Sequence, residues 1–121
     1  MRDLDDLRAY ALAKPATSED FPFDESTLAV RVGGKIFMLI ALDEQPLRFN
    51  LKGEPTENQA LRAQYSAIIP GYHMNKQHWN TVIWEPSLPA PLIRDMVDAS
   101  YALVAQSLPK KTQRELGLLP E

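Results

Sequence analysis

Chemistry-bearing side chains concentrate in one short stretch of this chain. From Ile69 to Val82 the sequence IPGYHMNKQHWNTV sets two histidines, a lysine, two asparagines, a glutamine, a tyrosine and a tryptophan close together. Hydrogen-bond donors interleaved with aromatic rings suit stacking on bases and bonding to phosphates or base edges. The same groups also suit a structural role, with His and Asn satisfying an irregular backbone and Trp79 buried. Under the first reading His73, Asn75, Lys76, His78 and Trp79 contact a ligand; under the second they close the domain. Both readings stay open on the residues alone.

Other chemistries find less support. His73 and His78 are five apart, not the three or four that places two metal ligands on one helix face. The chain has no cysteine and no acid near these histidines, so no metal or other cofactor is expected. Gly33-Gly34-Lys35 lacks the companion glycines and the Lys-Ser/Thr pair of a phosphate loop. No G-x-S-x-G elbow occurs, and Ser100 in a helical stretch is expected to pack or to bond a preceding carbonyl. Asp3, Asp5, Asp6, Glu19 and Asp20 make an acidic N-terminal region that hard cations would favour. Solvation and helix capping explain the same acids.

Charge placement points back to the middle of the chain. The net charge is −3, against strong nonspecific DNA binding, but residues 28–84 carry a balance of +2. No acid occurs from Asn58 through Trp84, whereas Arg62 and Lys76 do. Arg31, Lys35, Arg48 and Lys52 add cations that adjacent strands would gather into a stripe on one face. Pairing with Glu44 and Glu54 on a solvated face is the plainer alternative.

The elements that position these groups follow from periodicity. Leu4, Leu7, Ala11 and Leu12 share a helical face, with Asp3 as N-cap and Pro15 as a stop. The stretch Pro15–Ser26 reads as loop, pinned to the core by Phe21 and Phe23. Leu28, Val30 and Val32 alternate into Gly33-Gly34, a two-residue hairpin signal, and Lys35–Leu42 is a buried strand. Leu47, Phe49 and Leu51 alternate with Arg48, Asn50 and Lys52, a half-buried strand with a cationic outer face. Thr56 and Gln59 fit a capping box for a short helix ending before Pro70. Trp79–Trp84 is a further strand. Pro89 and Pro91 open the strongest helix, Pro109 ends it, and Lys110–Leu119 forms a short last helix.

Turns too short for crossovers between the first three strands disfavour a parallel βαβ fold. The expected fold is α+β: a two-layer sandwich with helices packed on one face of an antiparallel sheet, in one domain over residues 1–121. The longest apolar run, IFMLIAL, has seven residues, and the acidic start is unlike a signal peptide. A soluble, cytoplasmic protein with no membrane partner is expected.

The run PGYHMNKQHWNTV resembles the signature of the MmcQ/YjbR family. Other landmarks follow in the same order: KPATSEDFPF at Lys14–Phe23, GGKIFML at Gly33–Leu39, LKGEP…LR at Leu51–Arg62 and ASYALVAQSLPKK at Ala99–Lys111. The resemblance covers nearly the whole chain. One departure is Ala16, where members often carry Gly. The resemblance implies an architecture similar to frataxin-like and secretion-chaperone-like sandwiches and a DNA-binding, non-catalytic role. The motif positions carried over are His73, Asn75, Lys76, His78 and Trp79, with Lys52 and Arg62; Arg48 joins them from the strand cations. The alternative is a protein- or peptide-binding adaptor, with Met38 and Trp84 as contact residues.

Overall fold

The computed structural model describes residues 3–72 and 74–119. Asp3 caps the first helix, α1 (Leu4–Leu12), by accepting from the Asp6 amide at 2.9 Å. Strands β1 (Thr17–Asp20), β2 (Thr27–Val32), β3 (Lys35–Ala41) and β4 (Arg48–Lys52) follow. Then come α2 (Pro55–Gln64), β5 (Ile68–Pro70), β6 (Trp79–Ile83), α3 (Ala90–Ser107) and α4 (Lys110–Glu115). The strands make one six-stranded antiparallel sheet in the order β1-β2-β3-β4-β6-β5. The fold is the α+β sandwich that the strand and helix order implied.

Alternation along the strands separates the two faces. Leu28, Val30, Ile40, Phe49, Leu51 and Val82 are buried and lie beneath the helices, with Leu7, Ile93 and Val97 completing the core. Gly33 and Gly34, at φ of 55° and 87°, make the expected β2–β3 hairpin turn. A β-bulge slips the register, so Val30 faces Met38 while Arg31 faces Ile36. The extra residue is Phe37, and Phe37 and Met38 are both fully buried. Met38 is thus a core residue rather than a contact surface.

Ser100 does not bond a carbonyl of its own helix. Its hydroxyl, fully buried, donates to the Phe37 carbonyl at 2.6 Å and accepts from the Lys52 amide at 2.9 Å. The regular β3–β4 ladder ends at the Met38–Leu51 pair, and the hydroxyl bridges the next one. A helix side chain therefore fixes the strand position that carries Lys52.

Several expectations give way to tertiary context. Thr17–Asp20 is an edge strand, not loop, because it pairs with β2 while its acids bind arginines: Glu19 with Arg8, and Asp20 with Arg31. Phe21 and Phe23 do not pin the loop; they are 50% and 68% exposed. The capping box at Thr56 does not form, because Pro55 starts the helix and Glu54 is the N-cap. That helix also ends at Gln64, freeing Ile68–Pro70 to pair with β6 as a short edge strand. Lys35 leaves the expected cation stripe. The two-residue turn sets it opposite Val32, on the helix side, within 3.5 Å of the Ser107 hydroxyl of α3.

A cluster of aromatic rings and charge ties α1 to α3. The Lys14 ammonium lies 5.1 Å from the Tyr10 ring centre and 5.3 Å from that of Tyr101, and it pairs with Asp98. Burial alone would raise the Asp98 carboxyl, but hydrogen bonds from Lys14 and Tyr10, helped by the Lys14 and Arg94 charges, hold it below the ordinary carboxylate value.

Ala16 sits in the turn after Lys14 and Pro15 at φ 62°, with its carbonyl accepting from the Gly33 amide at 3.1 Å. A Cβ in that region costs about 1–2 kcal/mol. Ala16→Gly removes this cost but loosens the unfolded chain, which takes back about 0.5–1 kcal/mol. The expected net gain is about 0.5–1 kcal/mol, seen as a higher urea midpoint. An unchanged or lower midpoint would show that Ala16 is not strained.

Candidate nucleic-acid interface

The polar loop is held by its backbone. Asn75 begins it as a cap: its side-chain oxygen accepts from the Gln77 and His78 amides, and its carbonyl accepts from the His78 and Trp79 amides. The next four carbonyls are each bound from outside the turn. Arg62 Nη2 donates to the Lys76 carbonyl at 2.5 Å, and Asn58 Nδ2 to the Gln77 carbonyl at 3.0 Å. The Gly53 amide donates to the His78 carbonyl at 2.9 Å, and the Gly71 amide to the Trp79 carbonyl at 2.9 Å.

Two of these donors come from α2 and continue into the sheet. Arg62 Nε donates to Asn80 Oδ1 at 2.6 Å, and Asn80 Nδ2 reaches Asn58 Oδ1 at 3.3 Å. Asn58 and Asn80 are both buried, and Asn58 also donates to the Gly53 carbonyl at 3.1 Å. Position 53 has room for no side chain, since a Cβ there would lie 2.3 Å from Asn58 Oδ1. Asn75 and Arg62 therefore build the loop rather than face outward from it.

The remaining candidates project from this frame. Lys76 is exposed, with its ammonium 5.7 Å from the centre of the Tyr72 ring, itself 61% exposed. His78 is exposed and its ring has no polar partner among the described residues. His73 lies outside the described residues. Trp79 is half-buried and stands directly opposite Lys52 across the β4–β6 pair.

Trp79 and Lys52 belong to the sheet face away from the helices. On β4, Arg48, Asn50 and Lys52 all point to that face, because Phe49 and Leu51 point into the core. Arg48 and Lys52 are four residues apart, about 13 Å along the strand. Neither side chain has a polar partner among the described residues, and Arg48 Nε is buried without a hydrogen bond. Between them, Asn50 accepts from the Thr81 hydroxyl, and its amide nitrogen has no partner among the described residues. Arg31 shares the face, but its guanidinium is bound by Asp20 and the Gly34 carbonyl.

The structure thus brings Arg48, Lys52 and Trp79 together on one face, with Lys76 and His78 on the loop leading into β6. Asn50 lies on this face as the Arg48-x-Asn50-x-Lys52 alternation implies, and Thr81 stands opposite it, although the sequence reading named neither as a site residue. Among the described residues no group of three or more His, Cys, Asp or Glu side chains could hold a metal ion.

Asn58→Asp tests the clamp with no change of size. It turns a donor facing two carbonyls into a buried acceptor, so a loss of about 3 kcal/mol or more is expected from urea unfolding. Faster amide exchange at Gln77–Trp79 should accompany it. A loss under about 1 kcal/mol with unchanged exchange would mean that the loop does not rely on α2.

Comparison with known proteins agrees with this architecture. The family model described as YjbR matches residues 12–103. YbdF of Escherichia coli O157:H7 is 35% identical over 109 residues, covering 90% of this chain and 89% of the relative. YjbR of Escherichia coli K12 is 32% identical over 113 residues, covering 93% and 96%. The crystal structure of Deinococcus radiodurans protein DR2400, with domain DUF419, matches with a TM-score of 0.92 at 38% identity, covering 98% of this chain and 91% of that one. A Pseudomonas syringae protein matches with a TM-score of 0.72 at 26% identity, covering 84% and 98%. A family domain across residues 12–103, with relatives above 30% identity that align over nearly their full length, places this chain in the YjbR family.

Proposed function

We propose that this protein is a non-catalytic binding module that takes single-stranded nucleic acid, DNA in the first instance, across the open face of its sheet. The observation that carries the reading is that Arg48 and Lys52, two cations with no polar partner among the described residues, share one sheet face with the half-buried Trp79, which stands opposite Lys52. Arg48 and Lys52 would hold phosphates, the Asn50 amide would donate between them, and Trp79 would stack a base. Lys76 and His78 extend the surface past the end of β6. An aromatic platform beside cations favours single strands, whose bases are free to stack.

The edges of the sheet support a face rather than an edge as the contact. β1 carries Glu19 and Asp20, and β5 is three residues long and ends in Pro70. Short, charged or Pro-ended edges resist addition of a partner strand. Trp84, an alternative contact residue, packs against Phe49 at 6.3 Å between ring centres.

Few cations are involved, so binding should be weak and salt-sensitive. Three phosphate contacts, by Arg48, Lys52 and Lys76, give an expected slope of log K against log salt of about −2 on single strands. Fluorescence anisotropy with oligo(dT) and duplex DNA at several salt concentrations measures it. Tighter binding to oligo(dT) is expected, with Lys52→Ala reducing the slope by about 0.7. No binding at low salt up to about 10⁻⁴ M protein, or a slope unchanged in Lys52→Ala, would contradict this surface.

A further inference from the structure

The opposite side of the molecule carries a groove that this reading does not use. It lies between α2 and α3, has a volume of about 510 Å³, and is lined by Leu61 on one side and Leu92, Met96, Ala99 and Leu103 on the other. Helix α3 has two parallel seams. Ile93, Val97, Ser100 and Val104 are buried against the sheet, whereas Leu92, Met96, Ala99 and Leu103 line the groove. The second seam steps by four, three and four residues, the spacing with which one helix receives the knobs of another. Leu61 of the short helix α2 lines the other wall, leaving the seam partly open. Ala99 and Ala102 keep the floor low enough for a close helical approach.

The groove is also charged with one sign. Glu54, Glu57 and Asp95 stand around it, no basic residue lines it, and none of the three has an ion-pair partner among the described residues. Carboxylates around an apolar cleft favour a partner that brings both an apolar stripe and cations.

We infer that this groove receives an amphipathic α-helix of a partner protein, with leucine-type residues on one face and Lys or Arg flanking them. The helix would lie along α3 with its apolar stripe on Leu92, Met96, Ala99 and Leu103, and its cations beside Glu54, Glu57 and Asp95. From Leu92 to Gln106 the seam runs about 21 Å, so the segment spans about four helical turns. The inference rests on residues separate from the nucleic-acid face and stands or falls independently of it.

Two fluorescein-labelled synthetic peptides of about 16 residues test it. Both carry leucines at alternating three- and four-residue spacing; one is flanked by lysines, the other by glutamates. The lysine peptide is expected to bind the full chain at least about tenfold tighter and to shift the amide resonances of α2 and α3. Glu57→Lys with Asp95→Lys, both at exposed positions, should reverse the preference. Leu103→Lys should weaken the lysine peptide by about tenfold or more, with circular dichroism confirming that each variant folds. Equal binding of the two peptides, a preference unaffected by the charge reversals, or shifts confined to the open sheet face would overturn the inference.

Discussion

Four consecutive loop carbonyls, from Lys76 to Trp79, are each held by a donor from elsewhere in the chain. That constraint organises the half of the molecule that carries the proposed site. A connection from β5 back to β6 would otherwise expose or bury unpaired carbonyls, at about 1–3 kcal/mol for each buried one. Arg62 and Asn58 supply two of the bonds from a single face of α2, and Asn80 links both to the sheet. The same contacts fix where β6 begins, and so where Trp79 stands opposite Lys52. Ser100 does the corresponding work on the other strand by bridging the Lys52 amide to the Phe37 carbonyl.

These two devices divide the conspicuous motif into different jobs. Asn75 and, further back, Arg62 are engaged by the loop backbone as scaffold, while Lys76, His78 and Trp79 face out or lie at the surface. The clamp reading therefore describes Asn75 and Arg62, while Lys76, His78 and Trp79 are the residues left for the proposed ligand contact. The sheet face and the helical face then differ in sign. Among the described residues, Arg48 and Lys52 stand unpaired on one, and Glu54, Glu57 and Asp95 stand unpaired around the groove on the other. An overall charge of −3 conceals this polarity.

Much of this fold was legible in the residues. The glycine pair, the alternation through Leu51, the Asp3 cap and the apolar stripe of α3 each follow a local rule, and each appears where that rule puts it. What escaped were features decided at a distance. Thr17–Asp20 is polar and reads as loop; it becomes a strand because β2 offers an edge and two arginines neutralise its acids. Ile68–Pro70 looks like the end of a helix until β6 pairs with it. The bulge at Phe37 and the bond made by Ser100 join residues 63 apart, which no local pattern can announce. For the proposed site, residue types singled out the loop before β6 and the β4 cations, which the fold sets on and beside one sheet face. Lys35 leaves the cation stripe because the two-residue turn pairs it with Val32, which faces the core.

The two tryptophans allow the most direct test of the open face as the binding surface. Trp79 lies on that face opposite Lys52, whereas Trp84 packs against Phe49 beside the start of α1. Their indole N–H resonances can be followed in a ¹⁵N-labelled sample while oligo(dT) is added at low salt, with assignment by Trp84→Phe. Movement of the Trp79 resonance, with that of Trp84 left in place, is the expected result. Movement of Trp84 alone, or of neither resonance at saturating oligonucleotide, would contradict binding across the sheet.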